Sequence, residues 1–142
     1  MTDVNKLIAK AICQAQIASD SGKYKDETFR IKNGAGKSAS KYGYTVKEDF
    51  IVKALTMIRT SKSMFNYFSV KDKDQNGYDS IITYFDFKIY GERYQVSFHT
   101  PLNKASKELC KTVGTGRETR WNKNKTSTST DACQALIEYF NL

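Results

Sequence analysis

Four short stretches of this sequence carry residue types at the spacing of chemical sites. They are Asn33-Gly34-Ala35-Gly36-Lys37-Ser38, Asp72-Lys73-Asp74-Gln75-Asn76-Gly77, Asp86-Phe87-Lys88 and the single histidine, His99. The first ends like a phosphate-binding loop. A complete loop of that kind places a further glycine five positions before Gly36, so that backbone amides can wrap the phosphates. Here that position is Ile31, and no apolar strand ending in aspartate supplies a magnesium ligand. Hydrolysis of ATP or GTP is therefore not expected. Gly34, Gly36 and Lys37 read instead as a basic turn that touches phosphate through its amides and one charge.

The second stretch copies the first half of an EF-hand calcium loop. Its twelfth position is Thr83, where calcium needs a bidentate glutamate, and the residues that follow read as a strand rather than a helix. A turn explains the same residues, with Asn76-Gly77 supplying the positive φ. Calcium binding by Asp72, Asp74 and Asn76 stays an alternative. Asp86-Phe87-Lys88 has the Asp-x-Lys form of metal-dependent nucleases, and strand alternation puts both charged groups on one face. The other acid should come from an adjacent strand, yet Asp79 is on the same one, and metal-assisted cleavage wants several convergent carboxylates. His99 has no second histidine and no distinguished nucleophile to act on. Cys13, Cys110 and Cys133 read as core or near-core thiols. These residues predict no catalytic group, no metal and no cofactor.

What remains is a binding pattern. The net charge of +8 is localised: residues 21–44 carry +4 and residues 104–125 carry +5, leaving −1 for the rest. Lys32, Lys37 and Lys41 lie in the first basic segment with Tyr42 and Tyr44, and Arg117, Arg120, Lys123 and Lys125 surround Trp121 in the second. Tyr84, Lys88, Tyr90 and Arg93 add a third group of cations and rings. Cations neutralise phosphates, and interleaved flat rings stack on unpaired bases. An anionic partner is expected, nucleic acid first among them.

The elements that must hold these groups follow from periodicity. Val4, Leu7, Ile8, Ala11, Ile12, Ala15 and Ala18 predict an amphipathic helix over residues 3–19, capped by Thr2 or Asp3. Thr45-Val46-Lys47-Glu48 has the form of a capping box, which predicts a second helix from Thr45 to about residue 66 with Phe65 and Phe68 near its apolar stripe. Residues 80–100 alternate as a hairpin. With Gly91-Glu92 as the turn, Ile89 faces Tyr94, Phe87 faces Val96, Phe85 faces Phe98 and Tyr84 faces His99. One face is then apolar. The other carries Tyr84, Asp86, Lys88, Tyr90, Arg93, Gln95, Ser97 and His99, and a one-residue slip would mix the two. A short helix is expected at 103–112, a long basic loop at 114–130, and a closing helix from Asp131 with Leu136, Ile137 and Phe140 on its apolar face. A strand near Phe29 would extend the sheet.

The chain thus reads as one α+β domain over residues 1–142, an antiparallel hairpin-based sheet packed against two N-terminal helices and a C-terminal helix, with basic loops at about 21–44 and 114–130. An odd number of dispersed cysteines argues against a disulfide framework, and no apolar run approaches the roughly 18 residues of a membrane span. A soluble cytoplasmic protein without membrane contact is expected. Its expected function is non-catalytic binding of nucleic acid, or of a protein–nucleic-acid complex, through the two basic loops. One alternative is a small protein-binding inhibitor or adaptor of the kind phages and mobile elements direct at host nucleic-acid-processing or defence complexes. Compact size, the missing active site and a composition rich in Lys, Asn and Tyr motivate it. A second alternative is a metal-dependent nuclease using Asp86 and Lys88.

Overall fold

Asp3 starts the first helix as expected, its Oδ1 accepting the Asn5 N–H at 3.0 Å in a computed structural model that describes residues 3–20, 39–73, 76–116 and 129–142. Helix α1 then runs Val4–Asp20, and its apolar spacing buries Ile8, Ala11, Ile12 and Ala15 completely or nearly so. Helix α2 spans Ala39–Thr60, which corrects both predicted ends. Thr45 lies inside the helix rather than at its start. Glu48, predicted to reach back to Thr45, is buried and turned outward from its own helix, with Oε1 accepting both the N–H and the hydroxyl of Ser106 at 2.8 Å. A tertiary partner that offers two donors to a buried carboxylate outweighs one local cap.

The helix stops at Thr60 because residues 65–69 alternate rather than repeat at helical spacing. Strand β1, Asn66–Lys73, was not expected; Phe65, Tyr67 and Ser69 turn into the core while Phe68 points to the other side of the sheet. Strands β2, Asp79–Ile89, and β3, Glu92–Pro101, complete an antiparallel sheet in the order β1-β2-β3. The predicted turn at residues 72–77 therefore joins two strands, not a helix to a hairpin. Gly77 has the expected positive φ of 83°, and Lys73 pairs with Asp79 across the turn at 3.0 Å. The expected strand near Phe29 lies outside the described residues.

The hairpin exists, in a different register. Its two central turn residues are Tyr90 and Gly91, with φ of 51° and 80°, so Ile89 faces Glu92, Phe87 faces Tyr94, Phe85 faces Val96 and Thr83 faces Phe98. Two successive positive φ values match the right-handed twist of the strands better than a turn beginning at Gly91. Each β2 residue meets a partner two places earlier than predicted, and two places leave face parity intact. Hence the predicted apolar set is still the inner set. Tyr94 stacks on Phe87 with ring centroids 5.4 Å apart and planes 14° apart, and Phe98 still meets Phe85 edge-on at 6.0 Å.

After β3 come a 3₁₀ turn, Leu102–Lys104, and helix α3, Lys107–Cys110, where one short helix was expected. Ser106 caps α3 by accepting the Leu109 N–H while its hydroxyl donates to Glu48. The chain then passes beside β1: the Gly114 N–H donates to the Ser69 carbonyl at 2.8 Å and Gly116 bridges Phe68. Helix α4, Ser129–Phe140, begins slightly before the predicted Asp131 and buries Ala132, Cys133 and Leu136.

The core lies between the inner sheet face and the helices, with α1 packed on both α2 and α4 and α4 on β3. Two polar links fix the layers: the Asn5 Oδ1 accepts the Met64 N–H at 2.9 Å, and the buried Lys47 Nζ donates to the His99 carbonyl at 3.4 Å. The fold is α+β, as the sequence predicts. Among the described residues no helix is long and apolar enough to cross a membrane.

Candidate functional site

The outer face of the hairpin, predicted to be polar throughout, divides into two zones. Its centre is closed: Asp86 is 0% exposed and accepts the Gln95 Nε2–H at 2.8 Å, and Ser80, Ile82 and Gln95 are buried with it. Tyr84 is half-buried beside this centre. Loss of solvent raises its phenol above the ordinary range, and the carboxylates of Asp72 and Asp86 raise it further. The Asp86 and Lys88 of the nuclease pattern are thus in different environments, one enclosed and one exposed. Among the described residues no group of three His, Cys, Asp or Glu side chains could hold a metal ion. His99 is exposed and faces Ile82 rather than Tyr84. Asp79 is held below the usual carboxylate range, chiefly by the Lys73 hydrogen bond and then by its charge.

The tip of the hairpin is the second zone, and it is open. Lys88 and Arg93 occupy directly opposite positions on β2 and β3, both exposed. Side chains so placed have Cβ atoms about 4.5–5.5 Å apart, and two like charges there disfavour the pairing. Tyr90 projects from the turn with 94% of its surface exposed, in a left-handed backbone conformation that costs a β-carbon-bearing residue energy. Glu92 belongs to the opposite face of the ribbon. Its carboxylate accepts the Tyr94 hydroxyl at 3.0 Å, and this bond is the main reason the Tyr94 phenol is raised. Alternation along β3 therefore separates the acid from the two cations.

Helix α4 extends the tip sideways. The ring of Tyr139 meets Tyr90 edge-on with centroids 5.6 Å apart, and Phe140 meets Tyr139 at 4.8 Å. Tyr139 is 47% exposed and was not among the predicted site residues. Its signal in the sequence is its place beside, rather than on, the stripe of Ala132, Leu136 and Phe140: an aromatic on the wet side of an amphipathic helix.

No family model, curated protein or solved structure matches this chain. Of the predicted contact residues, the structure brings Lys88, Tyr90 and Arg93 together at the tip and leaves Tyr84 apart, toward the closed centre. Lys41 lies in the first turn of α2. Lys32, Lys37, Arg117, Arg120, Trp121, Lys123 and Lys125 lie outside the described residues, as does Asp74 of the calcium pattern. The tip thus carries an exposed ring in its turn and two exposed cations at the adjoining strand ends, groups of the kinds that stack on flat ligands and meet phosphates.

Proposed function

We propose that the protein is a non-catalytic nucleic-acid-binding protein whose hairpin tip, Lys88, Tyr90 and Arg93, contacts an unpaired strand. The observation that carries this reading is Tyr90: a ring 94% exposed, held at φ 51° in the turn just beyond the directly opposed Lys88 and Arg93. A strained, exposed aromatic is poor hairpin design and good ligand design, since a base can stack on it while the flanking charges meet phosphates. The basic segments at 21–44 and 104–125 would lengthen the contact along the backbone. Three cysteines without a disulfide suit a reducing compartment such as the cytoplasm.

Fluorescence anisotropy of labelled single-stranded and double-stranded RNA and DNA across a salt series tests the proposal. Binding that prefers single strands, and whose logarithm falls linearly with the logarithm of salt concentration, is expected. Absence of binding at low salt would overturn it. A co-purifying protein that resists nuclease treatment would then favour an inhibitor or adaptor directed at a host complex, and strand cleavage with magnesium that disappears in Asp86→Ala would favour the nuclease.

A further inference from the structure

We infer that Cys13 and Cys133 form an oxidisable dithiol, which hydrogen peroxide closes into a disulfide joining α1 to α4. The two residues are far apart in sequence and meet where the first and last helices pack, both buried, with Cys13 Sγ 3.6 Å from the Cys133 carbonyl oxygen. Hydrogen bonding with Cys133 holds the Cys13 thiol below its ordinary value even though burial pushes the other way. A thiolate is the nucleophile toward peroxide, and of the two thiols Cys13 is the one that lines a cavity.

A route to Cys13 exists as well. A cavity of about 190 Å³ between α1 and α4 is lined by Lys10, Cys13, Gln14, Ile17, Ile137 and Leu142. It is much larger than one small neutral oxidant. The third thiol, Cys110, is exposed on α3 and takes no part.

The chemistry balances without another reactant. The Cys13 thiolate attacks one peroxide oxygen, the O–O bond breaks, and Cys13 sulfenic acid and hydroxide form. The Cys133 sulfur then attacks the Cys13 sulfur, the S–O bond breaks, and the departing hydroxide takes the Cys133 proton as water. The proton first lost by Cys13 neutralises the hydroxide of the first step. Two thiols lose two electrons, and one peroxide becomes two waters.

The test uses the full chain carrying Cys110→Ser, so that only the buried pair can react. After peroxide treatment, the expected result is loss of both thiols per chain, a mass lower by two hydrogens, and a linked peptide pair containing Cys13 and Cys133. Dithiothreitol should restore both thiols, and the urea midpoint of the oxidised protein should lie above that of the reduced one. Adding Cys133→Ser should leave a Cys13 sulfenic acid that dimedone traps. Retention of both thiols, gain of oxygen without a link, or a link only between chains would each overturn the inference.

Discussion

Replacing Tyr90 by asparagine separates what this residue does for the fold from what it does for a ligand. Tyr90 sits at φ 51° in a turn whose next residue, Gly91, has φ 80°, and Asn-Gly is the pair this turn geometry favours most. A left-handed conformation costs an ordinary residue roughly 1–2 kcal/mol, much of which asparagine avoids. Against this stands the edge contact with Tyr139, whose rings are 5.6 Å apart. An aromatic pair contributes about 0.5–1.5 kcal/mol, and the low end applies because Tyr90 is 94% exposed. The difference predicts that Tyr90→Asn is more stable by about 0.5–1 kcal/mol. Binding should move the opposite way, since removing one base stack costs about 1–3 kcal/mol, roughly 5-fold to 150-fold in Kd. Urea denaturation and anisotropy titration on the same preparation read both quantities. Added stability with weakened binding is the expected pair of results. A variant that loses stability would show that the ring serves the hairpin, and unchanged affinity for every nucleic acid that binds the parent protein would remove Tyr90 from the site.

The double substitution Lys88→Glu with Arg93→Glu should lower the slope of log affinity against log salt by at least about 1.4 for a single strand, at roughly 0.7 for each phosphate no longer neutralised, with the circular dichroism spectrum unchanged. Glu48→Ala strands the Ser106 N–H and hydroxyl, which donate to one buried oxygen at 2.8 Å each, and should cost about 2–3 kcal/mol in urea denaturation, whereas Glu48→Gln keeps an acceptor and should cost less. At Gly116, with φ 88°, an added β-carbon would collide with the Tyr67 carbonyl oxygen and lie 2.8 Å from its ring, so Gly116→Ala should destabilise by at least about 2 kcal/mol in the same assay. Asp49 is raised by partial burial and then by Glu108, so the folded state holds its proton more tightly than the unfolded chain. Its contribution to stability is present below the ordinary aspartate range and is lost as pH rises through its folded value; Asp49→Asn should add roughly a few tenths of a kcal/mol at pH 7 and nothing at pH 3.

Parity was legible in the sequence where register was not. Phe85, Phe87, Ile89, Val96 and Phe98 announce the inner face because any even shift leaves them together, but for that same reason they cannot distinguish a turn at Gly91-Glu92 from one at Tyr90-Gly91. The deciding term was backbone twist, which has no hydrophobic pattern. Thr45-Val46-Lys47-Glu48 misled because a capping box is recognised by two residue types alone, and Glu48 found stronger donors on Ser106, far along the chain. Phe65 and Phe68 fit a helical stripe only when Tyr67 and Ser69, the alternating members of β1, are left out of the count. At the site, cations and rings could be read as types; that Lys88 and Arg93 are opposed, that Asp86 is enclosed and that Tyr139 reaches Tyr90 depends on pairing across strands and on the seating of α4.

The packing of α1 against α4 sets a condition on synthesis. Ile8, Ile12 and Ala15 are made long before Ala132, Cys133 and Leu136, which form part of the surface that covers their helix. A nascent chain can pair its hairpin and dock α1 on α2 while still tethered, yet one flank of α1 stays wet until residues 129–140 have left the exit tunnel. Any interruption of translation before Ser129 therefore yields a chain with an apolar helix face exposed to chaperones and proteases.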